Sequence, residues 1–365
     1  MDRSPSKLSH IYEQLRQEVL DGTWKVGVKL PNEVVLAKRF GCSLGTVNKA
    51  VSLLAHDGFV DKRARLGTTV TSNSGKPAAT PAALDAFAFI YPSDQHEGVW
   101  RTVKGFQAAA GKRQRRVLML PTGTDYEKEV EYLSRLAEFD VRGAVLYPII
   151  PTPRDQVLLS KIIVESPFAI VLTNMSLPGL GNPSVLLDNF HAGYTMTAHL
   201  LARGLKRIGF FGNELLSPSI VDRYQGYCWA LEEAGLPLEP ARVLLEPTMR
   251  PDFRDPVREP AELARRYFRQ TDDVEGVVCS GDFLARGIIR AASELGRSVP
   301  SDLKVTGIDD FAFEAKHEIP LTTYQVPCER IGQRAFEILD SIVVKKPAFQ
   351  LNTLVRGEIV VRESA

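Results

Sequence analysis

Apolar positions follow one rhythm over the first sixty residues and a different one beyond residue 85. Leu8, Ile11, Tyr12, Leu15, Val19 and Leu20 recur every three or four residues and stop at Gly22, which predicts a helix. After the turn VGVKLP, the stretch NEVVLAKRF predicts a second helix, with Asn32 as its N-cap directly after Pro31 and Gly41 as its end. Ser43 is placed to cap a third, TVNKAVSLLAHDG, in which Val47, Ala50, Val51 and Leu54 form one apolar face and Gly58 is the stop. FVDKRARLGTTVTS then alternates and turns like a two-stranded hairpin. Three short helices and a hairpin, with a tight glycine-containing turn between the second and third helices, describe a winged helix-turn-helix.

The later rhythm is alternation of strand and helix. The β-branched and aromatic runs AFAFIY, RRVLML, GAVLY, FAIVL, SVLLD, RIGFFG, GVVCS and KVTGID are spaced by helical patterns such as GVWRTVKGFQAAAG, EKEVEYLSRLAEF, AGYTMTAHLLARG and DFLARGIIRAASELG. The expected fold class is therefore α/β, with parallel sheets flanked by helices in two lobes. Between the two rhythms, SNSGKPAATPAAL holds little beyond small residues, two prolines and a glycine, which predicts a linker. The expected divisions are a head at 1–71, a linker at 72–84 and a body at 85–365. Within the body, one lobe takes about 85–189 and 323–347, and the other about 190–322 and 348–365.

Composition adds an asymmetry. The 365 residues carry a net charge of +1, but residues 1–76 hold 12 Lys and Arg against 7 Asp and Glu, a balance of +5, and the remainder stands at −4. A small basic head on a slightly acidic body suggests an anionic partner for the head alone. No apolar run approaches the ~20 residues of a membrane helix, and MDRSPSKLSHIYEQL has no signal-peptide core, so a cytoplasmic protein with no membrane partner is expected. Cys42, Cys228, Cys279 and Cys328 form no CxxC pair, and the six histidines show no metal-ligand spacing; His191 and His199, eight apart, stand two turns from each other. No GxSxG or GxxxxGK[ST] occurs. No enzyme activity, metal or cofactor is expected.

The head resembles the GntR-type winged helix: LPNEVVLAKRFGCSLGTVNKAVSLLAHDGFV matches that family's Leu-Pro-Ser-Glu, Leu-Ala, Ser-Arg-x-Thr-Val and closing Leu-x-x-x-Gly-hydrophobic pattern. The body resembles the ligand-binding domain of LacI-type regulators and periplasmic sugar-binding proteins, through LLDNFHAGYTMTAHLLARGLKRIGFFG, DRYQGYCWALEEAG, SGDFLARGIIRAASELGRSVPSDLKVTGIDDF and PLTTYQVPCERIGQRAFEIL, in family order over roughly half the body. The combination is that of mixed regulators such as arabinose and other sugar repressors. Four positions depart from the family patterns: Asn32 replaces Ser, Leu44 replaces Arg, Asn48 holds a place commonly Arg, and Gly281 replaces the Asn before Asp282.

A recognition helix needs a first turn small enough to approach base edges and polar enough to read them. Ser43, Gly45, Thr46, Asn48 and Lys49 suit that task, with Asn48 matched to adenine, Lys49 to phosphate and Leu44 to a thymine methyl. Lys38 and Arg39 before the turn, and Lys62, Arg63, Arg65 and Thr68 on the wing, are expected at the DNA backbone. In the body, the resemblance implies ligand contacts from Asp188, Arg223, Asp282 and Asp309. An N-cap role for Asp282 and a buried Arg223–Asp309 ion pair are the alternatives. Asp310 is read as structural. Ser93 and Asp94, in the loop after Tyr91, are further candidates, as are Trp100 and Phe190 for stacking on a sugar face. The expected partners are double-stranded operator DNA, a small effector and a second copy of the chain. The function this implies is a repressor of carbohydrate-use genes released by a small sugar, with a corepressor-dependent regulator that binds a nucleobase or other metabolite as the alternative.

Overall fold

The computed structural model describes residues 7–63, 67–73, 86–93, 95–123, 125–138, 141–148, 150, 152–177, 179–213, 217–246, 255–312, 319–344 and 351–365. The linker, apart from its first two residues, lies outside the described residues, as do Arg65 and Asp94. The chain divides into two compact units, 1–83 and 84–365.

In the first unit, helices α1 (Lys7–Leu20), α2 (Glu33–Phe40) and α3 (Leu44–His56) precede the strands β1 (Val60–Arg63) and β2 (Gly67–Val70). Each local signal acts where it stands. The Asn32 side chain accepts from the Val35 N–H at 3.0 Å, Gly41 ends α2 at a φ of 56° that suits glycine, and Ser43 caps α3. Ile11, Leu15 and Val19 of α1 meet Leu36, Val47, Ala50, Val51 and Leu54 in a core closed by Phe59, Val60 and Val70. The segment read as a turn is partly extended. Leu30 donates to the Thr68 carbonyl at 2.8 Å and Val70 to that of Val28 at 2.9 Å, so β2 lies between β1 and residues 28–30.

The second unit holds two six-stranded sheets. Its elements are β3 (Ala86–Tyr91), α4 (Glu97–Lys112), β4 (Arg116–Pro121), α5 (Tyr126–Glu138), β5 (Gly143–Leu146), α6 (Pro153–Glu165), β6 (Ala169–Thr173), β7 (Ser184–Leu187), α7 (Asn189–Leu201), β8 (Ile208–Asn213), α8 (Pro218–Glu233), β9 (Val243–Glu246), α9 (Arg258–Gln270), β10 (Gly276–Cys279), α10 (Asp282–Glu294), β11 (Lys304–Asp309), β12 (Thr322–Gln325), α11 (Cys328–Val343), β13 (Asn352–Val355) and β14 (Glu358–Val360). One sheet runs β13-β7-β6-β5-β3-β4, parallel throughout; the other runs β14-β12-β11-β10-β8-β9, with only β14 antiparallel. All eight strand runs read from the sequence are present, and β9, β12, β13 and β14 join them.

The chain passes between the sheets three times: from β7 to α7, from β12 to α11, and from β13 to β14. This corrects the expected lobe boundaries at two strands. Thr322–Gln325 belongs wholly to the second sheet, paired with β11, and Asn352–Val355 belongs to the first, paired with β7. The three passages meet at one phenol. Tyr324 Oη lies 2.9 Å from His191 Nδ1 and accepts from the Gly357 N–H at 2.8 Å. Beside it, Asp188 accepts from Arg356 Nε at 2.8 Å and caps α7 through the His191 N–H at 3.0 Å.

Two helix pairs cross so closely that only glycine fits. A Cβ on Gly332 of α11 would lie 1.8 Å from the Thr102 carbonyl oxygen of α4, and one on Gly193 of α7 would lie 1.9 Å from that of Arg223 in α8. Gly332→Ala is expected to lower stability by about 1–3 kcal/mol through forced separation of the helices. Gly111→Ala, with nothing within 4 Å of the new methyl, is expected to stay within about 0.5 kcal/mol of wild type; urea denaturation of both variants checks the contrast.

Candidate functional site

At the start of α3, the hydroxyls of Ser43 and Thr46 lie 2.8 Å apart, and Ser43 Oγ accepts the Thr46 N–H at 3.3 Å. Leu44, Gly45, Asn48 and Lys49 are exposed around them, with Leu44 at 52%. The helix therefore opens on an apolar side chain, a bare backbone and an amide. That amide is already engaged: Asn48 Oδ1 accepts from Lys62 Nζ at 3.0 Å, and the same ammonium lies 2.9 Å from Glu33 Oε1. Lys62 thus ties β1 to both α2 and α3, a role that its reading as a wing charge missed.

Arg39 holds Glu18 with two guanidinium nitrogens and lies over the Phe40 ring at 5.0 Å, and this hydrogen bonding keeps the Glu18 carboxyl below its ordinary pKa. A phosphate must compete with that pair for Arg39. Lys38 and Lys49 are exposed. Thr68 is a correction. Expected on the wing at the DNA backbone, it is only 8% exposed, because it shares the inward face of β2 with Val70. The Arg63 backbone pairs with Gly67, while its side chain is outside the described residues.

In the body, polar residues gather where strands of both sheets end: Asp188 after β7, Asn213 at the end of β8, Ser280 after β10 and Asp309 closing β11. Arg223, on the second turn of α8, reaches into this group. Its Nε donates to Asn189 Oδ1 at 2.8 Å, one Nη donates to the Ser280 carbonyl, and the other lies 4.0 Å from Asp309 Oδ1. At that separation the two charges attract without a hydrogen bond, so both keep capacity for a third group. Burial pushes the Asp309 carboxyl up to about 7, against the pull of Arg223 and with the help of Asp282. Asp309 and Asp310 adopt φ of 144° and 58°, uncommon for residues with a side chain and frequent where strain serves a site.

The other candidates divide. Asp282 is the first residue of α10 and Gly281 its N-cap, so the capping alternative does not hold; its buried carboxylate accepts from Thr323 Oγ1 at 2.6 Å and the Phe311 N–H at 3.1 Å, and burial raises its pKa. Asp310 is held by Gln325 and Arg362. Ser93 accepts from the Gln95 N–H at 3.1 Å within its own loop. Trp100 packs on the core of the first lobe with Lys104 over its ring at 5.2 Å. Phe190 turns its ring to Trp229, 6.3 Å away. Neither aromatic joins the cluster. Where the lobes face each other, the rings are His96 and Phe311, edge to face at 5.4 Å, with Ala312 donating to Glu97 at 2.9 Å and Arg101 to the Asp310 carbonyl at 3.3 Å. Burial lowers the His96 pKa, which favours a neutral ring. Asn189 and His96 went unnoticed in the sequence, although the first directly follows Asp188 and the second opens a helix in a candidate loop.

A helix-turn-helix head and a two-lobed body with a polar cleft define a ligand-responsive DNA-binding transcriptional regulator. Residues 7–70 match the bacterial regulatory proteins of the gntR family, and residues 197–365 match the periplasmic binding protein-like domain. The chain is 27% identical over 369 residues, 97% of each chain, to the arabinose metabolism transcriptional repressor of Geobacillus stearothermophilus. It is 30% identical over 264 residues to the HTH-type transcriptional regulator RegA of Clostridium saccharobutylicum, covering 72% of this chain and 76% of that one. The solved transcriptional regulator CelR–cellobiose complex shares the fold, with a TM-score of 0.67 at 20% identity over 92% of this chain and all of the other. The chain belongs to the helix-turn-helix transcriptional regulators that carry a periplasmic-binding-protein-like domain, with a head of the gntR type. These relatives are regulators, not enzymes. No helix among the described residues is long and apolar enough to cross a membrane, and none of their His, Cys, Asp and Glu form a metal-holding group of three.

The raised Asp309 pKa has a signed consequence. Ionising a carboxyl that the fold holds above its ordinary 3.8 costs folding free energy, which is absent below that pH, accumulates up to about 7 and is constant above it. Asp309→Asn removes this slope, so its stability relative to wild type should climb between pH 4 and 7 and then level, read from chemical denaturation across pH; a difference that does not vary with pH would show an unperturbed carboxyl.

Proposed function

We propose that the protein represses carbohydrate-use genes and is released from its operator when a small sugar binds between the two lobes of the body. One observation carries the reading: Arg223 and Asp309, 4.0 Å apart at the strand ends, with Asn189 and the Ser280 carbonyl around them. A sugar hydroxyl both donates and accepts. It can give its proton to Asp309 and take one from Arg223, and a guanidinium so placed suits a neutral polyol better than an apolar ring. The cellobiose of the CelR complex and the arabinose named for the Geobacillus relative support a carbohydrate as the ligand class.

On this reading Ser43, Leu44, Gly45, Thr46, Asn48, Lys49 and Lys38 meet the DNA, and Asp188, Arg223, Asp282 and Asp309 line or support the ligand site. The protein works as a cytoplasmic homodimer, since a two-fold axis matches paired half-sites. Sugar and operator favour different lobe angles, so each weakens the other's binding by the same factor.

A thermal-shift screen of pentoses, hexoses and nucleobases tests the effector; stabilisation by a nucleobase and by no sugar would overturn the proposal and favour the corepressor alternative. With the sugar in hand, Arg223→Ala is expected to weaken its binding by about 10- to 100-fold. On DNA, Asn48→Ala should relax base preference, whereas Lys49→Ala should weaken binding to every sequence and reduce the salt slope by about one. Equal losses on cognate and random DNA for both variants would refute that division.

A further inference from the structure

Between α11 and the edge strand β13 lies a groove of about 480 Å³, lined by Asp188, Arg330, Arg334, Thr353, Leu354 and Arg356. Its volume is within the range of small-ligand sites, about 300–1,000 Å³, and its chemistry is cationic. Arg330 and Arg334 stand one helical turn apart and project to the same side. Arg334 meets Glu337 at 3.0 Å, and Arg356 gives only its Nε to Asp188. The Arg330 side chain takes part in no ion pair or hydrogen bond among the described residues, and three guanidinium groups line the groove with one carboxylate. Thr353 and the exposed Leu354 complete a wall that is part hydroxyl and part apolar.

We propose that this groove binds a small phosphate-bearing metabolite, its phosphate held by Arg330, Arg334 and Arg356. The planar guanidinium matches a phosphate in pairs of parallel hydrogen bonds, and several such groups converging on one space favour it over a monovalent anion. The site is distinct from the Arg223–Asp309 cleft but shares the Asp188–Arg356 pair that ties two of the three lobe passages. An anion that draws Arg356 from Asp188 alters the cap of α7, and so this groove is a second input to the hinge.

Isothermal titration of the full chain with inorganic phosphate and pyrophosphate, with sodium chloride at matched ionic strength as control, tests the proposal. Saturable binding of pyrophosphate, tighter than phosphate and weakened about tenfold or more in Arg330→Ala/Arg334→Ala, is the expected result. Both side chains are exposed, and the variant's unchanged operator binding without added anion shows that it is folded. Should it fail to fold, Arg330→Gln alone is expected to weaken pyrophosphate binding about threefold or more. No saturable binding, a chloride response equal to that of pyrophosphate, or unchanged affinity in the variants overturns it. None of these outcomes depends on whether the cleft takes a sugar.

Discussion

The lobes of the body are joined by three strands of chain, and the bonds around Tyr324 bring those strands to one point. A phenol that meets His191 at one passage, stands at the second on β12 and accepts from Gly357 at the third makes the passages a single joint rather than three tethers. The Asp188–Arg356 pair repeats the tie a few residues away, and the Asp188 N–H reaches the Val355 carbonyl at 3.0 Å. Tyr324 and Asp188 are buried within this network, so either one stripped of its partners bears its desolvation cost, while Arg356 reaches the network from the surface. On the proposed function, a single joint of this kind would let a ligand between the lobes select between angles instead of between disordered arrangements.

The cleft itself is built against resistance. Asp309 is held ionisable but desolvated, in a backbone conformation that side chains rarely adopt, and its neighbour Asp310 is fixed by Gln325 and Arg362. Asp282 works behind it, holding Phe311 and Thr323 and adding negative potential. The cleft thus has unsatisfied polar capacity and a rigid surround. On the proposed function, an occupant with hydroxyls would offset the desolvation of Asp309.

Much of this was legible in the residues. The caps at Asn32 and Ser43, the stop at Gly41 and eight strand runs follow from local chemistry that tertiary packing does not override. What escaped was set by distant partners. Strand β13, half-exposed at a sheet edge, carries no strong alternation, and only its pairing with β7 reveals which lobe owns it. Thr68 reads like any wing threonine until residues 28–30 cover one edge of β2. Trp100 and Phe190 were attractive as platforms because aromatic character is visible in a sequence and ring direction is not; their neighbours Lys104 and Trp229 decide it. Asn48 looked free to read a base, and its bond to Lys62, fourteen positions on, depends on the wing folding back.

The close crossing of α7 and α8 has an evolutionary reading. Gly193 abuts the Arg223 carbonyl with no room for a methyl group, so the backbone beneath the guanidinium can neither shift nor turn without parting the helices. The arginine is a fixed post in the cleft. Because the contact is to the backbone at 223, it holds that position in place whatever side chain stands there, so a new effector could be met by exchanging the side chain at 223 or its partners Asn189 and Asp309 while the helix crossing stays as it is.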